Sequence, residues 1–352
     1  MNISVTVAVD NQVDDELTEA GEIEVYERMG EATTYRLRLS ADIADGDMPF
    51  LVDDRVGPGS MIDIEVTVDN ETCHLVHGPV TGQNITLEHG GAGSTVDVEG
   101  SDRTVEMDRV NKPVVWQDVT DSDVAHSILG SYGLTPDIEV TNAGHYEKKH
   151  NLVQRNTDLQ FIKQLARRNG FLFWLTCDGP GLEAAHFKKP PLNGSPAAKL
   201  LINFNPPTIE SLSIDWSAEY PTSVTGLQLD LSNKNTIDAA RSGNPLTDLG
   251  ETALEAISTE ERSAHVVPPV DDSGDLIGRS NGVLTETSWF VNASCKTTPQ
   301  LVGALVRAHT VVELLGAGSR HSGRYFVSGV RHNITAGSYT MDIELIRNAW
   351  SS

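Results

Sequence analysis

The chain has 352 residues, 39% hydrophobic and 22% charged, the composition of a globular protein with room for two or three domains rather than of a disordered one. Fifty acidic residues against 26 basic ones give a formal net charge of −24, which argues against free nucleic acid or an anionic membrane surface as a partner. No apolar run reaches the roughly 18–20 residues of a membrane-spanning helix, and the N-terminus lacks a basic-then-apolar leader, so assembly in the cytoplasm is expected.

The first hundred residues read as β-structure. Ile3-Val5-Val7-Val9, Tyr35-Leu37-Leu39 and Ile62-Ile64-Val66-Val68 alternate apolar with polar residues, the period of a strand with one buried face. Gly57-Pro58-Gly59-Ser60 and Gly90-Gly91-Ala92-Gly93-Ser94 supply turns, so a sandwich or barrel is expected. The pattern changes near Asn111-Lys112-Pro113. Thr120 or Asp121 caps a short helix with Val124, Ala125, Ile128 and Leu129 inward. Thr157 and Gln160 have the spacing of a reciprocal capping box, followed by Phe161, Ile162, Leu165 and Ala166 at helical spacing, with Arg167 and Arg168 at the negative end and Gly170 as the stop. Phe171 to Leu175 then reads as a buried strand that turns at Asp178-Gly179-Pro180-Gly181 toward a partner near 184–187.

Alternation returns over 211–231. Residues 232–285 are polar and punctuated by Gly and Pro, and read as an insertion or excursion with one helix around 246–257. The final block is expected to be strand 289–295, helix 298–315 with Thr298 as cap and Pro299 in its first turn, then strands 325–334 and 339–346. The domain reading is therefore 1–110 with 208–231 as a first β domain, 111–207 as an inserted mixed domain, 232–285 as the excursion, and 286–352 as a second β domain. The fold class is α+β and β-rich.

Of the common catalytic motifs there is no HExxH, P-loop or post-strand GxGxxG. Cys73, Cys177 and Cys295 are odd in number, far apart and outside any CxxC or Cys/His spacing, so neither a disulfide framework nor a zinc site is expected, and each is read as a small buried hydrophobe. His145 and His150 beside Lys148 and Lys149 read as surface residues, and His321 and His332 as structural or exposed. Asp45/Asp47 and Asp271/Asp272 with Asp275 could hold a hard cation, but the spacings match no EF-hand and solvated turns explain them. Paired carboxylates for glycoside hydrolysis lack the aromatic platforms such sites use, since aromatics are 6% of the chain. No catalytic, cofactor or metal residue is assigned, and the chain is not expected to be an enzyme.

The stretch His150 to Trp174 resembles the phage late control protein D family, which includes the hub part of VgrG spike proteins. Gln154, Thr157, Asp158, Phe161, Leu165, Ala166 and Gly170 fall on that family's marks. The helix start at Val119 to Ala125 and the terminal hairpin, from Tyr325 to Arg347 and Asn348, are similar to further family segments. Arg167-Arg168-Asn169 departs from the acidic residues usual before the glycine, and 232–285 has no counterpart. The resemblance implies two tail-tube-like β-barrel or sandwich domains with inserted mixed domains, in a baseplate hub of a tailed virus or contractile injection system. It implies a homotrimer that adapts a sixfold tail tube to a threefold spike and lines the central channel. The implied partners are a tube or tube-initiator protein, a spike, and LysM-type and wedge baseplate proteins; cargo passes through without specific binding. Because the sequence stops soon after the hairpin, the spike is expected to be a separate polypeptide. The rival readings are a tail-associated carbohydrate-binding adhesin, which would need clustered exposed aromatics, and a cell-envelope hydrolase.

The basic residues are 17 Arg and only 9 Lys. An acid-rich, Lys-poor chain points to adaptation to concentrated salt, where screening relieves self-repulsion; a second reading is an acidic channel face (candidates Asp342 and Glu344, or Asp63, Glu65 and Asp69) that repels a polyanion. Salt adaptation predicts that the thermal midpoint rises by several degrees between low and molar salt; a midpoint indifferent to salt would refute it.

Overall fold

A computed structural model of the chain describes residues 2–41, 50, 52–148, 151–229, 234–258, 260–267 and 273–351. Asp45, Asp47, Lys149, His150, Asp271 and Asp272 lie outside the described residues.

Alternation builds the first block. Its main strands are Ile3–Val9, Glu22–Arg28, Thr34–Ser40, Met61–Val68, Glu71–Thr86 and Thr95–Ser101. Every second side chain, among them Val7, Ile23, Val25, Leu37, Ile64 and Val98, turns inward and is buried. All neighbours are antiparallel, in the spatial order Ile3–Val9, Met61–Val68, Glu71–Thr86, Thr95–Ser101, Thr34–Ser40, Glu22–Arg28. The final block repeats this economy with Leu212–Trp216, Val291–Thr297, Ser338–Arg347, Gly323–Thr335, Val311–Leu315 and Lys199–Leu201 in spatial order. Only its last pair is parallel.

One strand joins the blocks. The first residues of Gly323–Thr335 pair with Val311–Leu315, whereas Gly329 to Ile334 pair with Ile23 to Arg28. The register shifts between Val327 and Gly329, where the strand changes partners. The result is a single 13-stranded sheet over one shared hydrophobic core.

Between the blocks sits a mixed module. Helices Asp121–Ser131 and Asp158–Arg168 pack Val124, Ile128, Leu129, Phe161, Ile162 and Leu165 against Phe173 and Phe187 of the hairpin Leu172–Cys177/Glu183–Lys188, whose second strand also takes Thr135–Ile138 in parallel. The reciprocal capping box stands at Thr120 and Asp123. At Thr157 it is only half made: the hydroxyl accepts from Gln160 N, but the Gln160 side chain donates to Asp108.

Three expectations are corrected. The helix expected over 298–315 is the single turn Pro299–Val302, because Gly303 takes a left-handed conformation (φ 74°) that ends it, and β-branched Val311 and Val312 join the sheet. The helix expected over 246–257 shrinks to Leu254–Ile257, because Thr252–Ala253 pairs with Ala349–Trp350. The excursion instead carries its helix later, at Ser273–Thr287, packed on the sheet Thr236–Ser242/Ser223–Leu229/Ser263–Val266. The stretch 208–231 differs as well: Leu212–Trp216 pairs with Val291–Thr297 and Ser223–Leu229 belongs to the small sheet, so neither adds to the N-terminal strands.

The seam between the blocks contains a buried ion pair. Glu27, on the joining edge, accepts from Arg307 Nε at 2.6 Å and from Ala308 N at 2.9 Å. The Arg307 guanidinium also donates to the carbonyls of His74 and Leu75. Burial opposes the charged carboxylate, but Arg307 and His332 overcome it and hold Glu27 well below the ordinary carboxylate range. The folded carboxyl thus titrates below the unfolded one, so its stabilisation is complete above about pH 4.3 and disappears as pH falls through the folded value. Arg307→Met should cost about 3–5 kcal/mol, because it strands a buried carboxylate; denaturant unfolding at pH 7 reads this, and the cost should shrink in acid.

Candidate functional site

The residues marked by the sequence fall into two internal networks. In the first, buried Gln154 donates from Nε2 to Asp158 Oδ1 at 2.7 Å and accepts from Trp116 Nε1 at 3.3 Å. Asp158 also accepts from the Tyr132 hydroxyl at 2.7 Å and from Lys112. Burial raises the Asp158 pKa, yet Lys112, Gln154 and Tyr132 outweigh it and the net shift is downward. Thr157 caps the helix and donates to Asp108 Oδ1 at 2.5 Å. Phe161, Leu165 and Ala166 are core residues, and Gly170 (φ 68°) abuts Thr285 of the helix Ser273–Thr287. The departure at Arg167-Arg168-Asn169 has a structural role: Arg168 and Asn169 both bond Asp121 in the first turn of the other helix, and Arg167 pairs with Glu286. His145, expected at the surface, is buried, with Nε2 2.7 Å from Asp121 Oδ1.

The second network locks the chain's last strand. Arg347 is fully buried, and among the described residues no carboxylate contacts it. Its guanidinium stacks 5.2 Å from the Tyr325 ring centroid and donates to the carbonyls of Ser322 (3.1 Å) and Leu249 (3.0 Å). Asn348 Oδ1 accepts from Leu249 N at 2.9 Å while its Nδ2 donates to Thr247 O at 3.0 Å. The amide thereby substitutes for a strand partner, and the 247–253 segment is held against the hairpin. Tyr325 is buried and donates to His321 O at 2.9 Å.

These residues are engaged in packing and hydrogen bonds within the chain. On the outer face of the joined sheet, Arg331 pairs with Glu24 at 3.3 Å, Arg36 with Glu24 at 3.5 Å, and Arg38 with Glu22 at 2.9 Å and Asp97 at 2.8 Å. This ladder of alternating sign crosses from the last block into the first. Asp342 lies on the same face, bonded by Asn333, and Glu344 accepts from Tyr26 at 2.9 Å. Asp63 does not share such a face: it is buried against His74.

Two edges of this face are open. Leu212–Trp216 pairs on one side only, as does the second half of Glu71–Thr86, from Gly82 onward, among the described residues. Each carries exposed apolar side chains, Trp216 at 48% on one and Ile85 at 43% with Leu87 at 58% near the other.

Sequence reasoning missed one cluster because its members are distant in the chain. Asp63, His74, His77, Cys177 and Glu183 meet where the hairpin of the mixed module touches the first block. Cys73 and Cys177 are only half-buried, and Cys73 Sγ accepts from Arg307 at 2.7 Å, so only Cys295 is the buried hydrophobe expected of all three.

The terminal lock yields a prediction. Asn348→Ala leaves a buried N–H and a carbonyl unpaired and should cost about 1–3 kcal/mol, with faster amide exchange at Leu249 as the local readout.

The fold is shared with solved tail proteins. The tail protein from Neisseria meningitidis MC58 matches with a TM-score of 0.70 at 13% identity, over 99% of this chain and 98% of that one. The 43 kDa tail protein of prophage MuSo2 from Shewanella oneidensis matches with 0.67 at 11% identity, over 99% of each chain. The E. coli c3393 protein, a component of the type VI secretion system with structural similarity to the T4 bacteriophage tail proteins gp27 and gp5, gives 0.57 at 13% identity, over 99% of this chain and 77% of that one. No curated protein matches the sequence. Residues 1–336 match the family model of the Alg8 N-terminal domain, and the chain belongs to that family.

Proposed function

We propose that the chain is a structural baseplate hub subunit, three copies of which close into a ring that continues a sixfold tail tube, presents a threefold platform to a central spike, and encloses part of the central channel. The observation that carries this reading is the sheet that joins the two blocks. Eight strands run side by side from Leu212–Trp216 through Gly323–Thr335 and Glu22–Arg28 to the second half of Glu71–Thr86, four from each block. Three copies laid edge to edge supply six sets of four strands around a threefold axis. Each block is a tube-like domain in this reading, the second drawing on Lys199–Leu201 and Leu212–Trp216 besides the C-terminal strands.

The two open edges differ, so the contact is heterologous, and a heterologous contact closes as a ring only when its rotation divides the circle. Trp216 on one edge and Ile85 with Leu87 beside the other supply apolar anchors. The face carrying the Arg331–Glu24 and Arg38–Asp97 pairs would line the channel. Its paired charges offer a polyanion little to hold, which suits a conduit for cargo. Likeness to tail proteins, the late control protein D resemblance, and the structural rather than chemical use of the marked residues all support a non-enzymatic role. Partners in this reading are the tube or tube-initiator protein, the spike, and LysM-type and wedge baseplate proteins.

Mass photometry of the purified chain, alone and with its tube and spike partners, tests the reading. The expected particle has three times the 38.1 kDa chain mass. Ile85→Glu with Leu87→Glu should abolish it while moving the monomer's thermal midpoint by no more than about 2 °C, because surface changes of this kind cost little. A chain that stays monomeric with every partner present, or a trimer indifferent to the double substitution, would sink the ring.

A further inference from the structure

The seam between the first block and the mixed module gathers donors that the hub role does not use. Strand Met61–Val68 contributes Asp63, strand Glu71–Thr86 contributes His74 and His77, and the hairpin contributes Cys177 and Glu183. Ligand atoms of Asp63, His74 and Cys177 lie within 4.8 Å of one another, and so do those of His77, Cys177 and Glu183. The thiol is common to both sets. Each imidazole is oriented by a carboxylate: His74 Nδ1 lies 2.9 Å from Asp63 Oδ2, and His77 Nδ1 lies 2.5 Å from Glu183 Oε1. His74 Nε2 lies by the turn that follows Cys177, 3.7 Å from where a Cβ on Gly179 would stand.

The seam concentrates acidic donors around one thiol. Buried Asp63 and Glu183 would carry, with a Cys177 thiolate, three negative charges. Among the described residues, Arg103, at 3.3 Å from Glu183 Oε2, is the guanidinium that reaches them. Burial first, and then these neighbouring carboxylates, push the Cys177 thiol up to about 12. A divalent cation reverses that preference by stabilising the thiolate. The donor types select the ion: thiolate and imidazole suit zinc-class metals, whereas calcium and magnesium take oxygen ligands. Zinc bonds of about 2.0–2.3 Å put tetrahedral donors roughly 3.3–3.8 Å apart, so the donor atoms need close by no more than about 1.5 Å. A cleft of about 490 Å³ lined by His74, Cys177, Asp178, Trp174 and Arg307 gives the ion a way in.

We propose that Cys177, His74 and Asp63, with His77 and Glu183 flanking the thiol, bind one zinc-class divalent ion that staples the mixed module to the first block. Binding releases the Cys177 proton to solvent and leaves the oxidation state of sulfur and metal unchanged. The ion's role here is structural, and the proposal stands whether or not three copies form a ring.

Cobalt(II) titration of the full chain is the test, followed by zinc analysis of the dialysed protein. The expected result is one ion per chain with a thiolate-to-cobalt charge-transfer band. Cys177→Ser should abolish the band, His74→Gln should weaken binding at least tenfold, and Cys73→Ser should leave both unchanged. Removing zinc from the wild-type chain with a chelator should lower its thermal midpoint, a readout that does not depend on any variant folding. No charge-transfer band, a band that survives Cys177→Ser, or a wild-type midpoint indifferent to chelation and zinc would each overturn the proposal.

Discussion

The pairing of Gly329–Ile334 with Ile23–Arg28 is the constraint on which the rest of the molecule depends. It pairs strands just over three hundred residues apart in the chain and gives the two blocks one sheet and one core. Closing so long a loop carries an entropic cost that the pairing and the core beneath it must outweigh. The Glu27–Arg307 pair lies on this seam and ties three segments together: strand Glu22–Arg28, the loop after Pro299–Val302, and the backbone of His74 and Leu75. A buried pair of this kind adds little net stability over a well-packed apolar one, but it penalises any arrangement in which either partner is left alone.

Much of this was legible in the sequence, and the misses have definite causes. Period-two alternation found the strands that bury one face, and helical spacing from Phe161 to Ala166 found the mixed module's core. Local rules failed where distant pairing decided the outcome. Thr298 and Pro299 do start a helix, but nothing nearby announces that Val311 and Val312 find a strand partner in Tyr325 and Phe326. The Leu246–Ile257 stretch has helical composition, yet Asn348 and Arg347 capture its middle from a hundred residues away. The Cys177 cluster was invisible for the same reason, since its donors come from four strands spread over about 120 residues of sequence.

The charge reading changes in character rather than direction. An excess of acids remains, but on the sheet face that spans both blocks it is organised into an alternating lattice by Arg36, Arg38 and Arg331. Guanidinium groups suit this because each can engage two carboxylates at fixed angles, as Arg38 does with Glu22 and Asp97. The scarcity of Lys and the prevalence of Arg are thus at least partly a matter of geometry, independent of any solvent the protein inhabits.

The two insertions meet at Gly282, where an added Cβ would stand 2.9 Å from the carbonyls of both Arg167 and Arg168. Backbone therefore touches backbone, with no side chain between to yield. Such a joint has no slack: tilting the helix Ser273–Thr287 must displace the end of Asp158–Arg168, and through Arg168 and Asp121 the start of the neighbouring helix. Position 282 is therefore closed to any larger residue, since a side chain there would push the helix Ser273–Thr287 off the end of Asp158–Arg168.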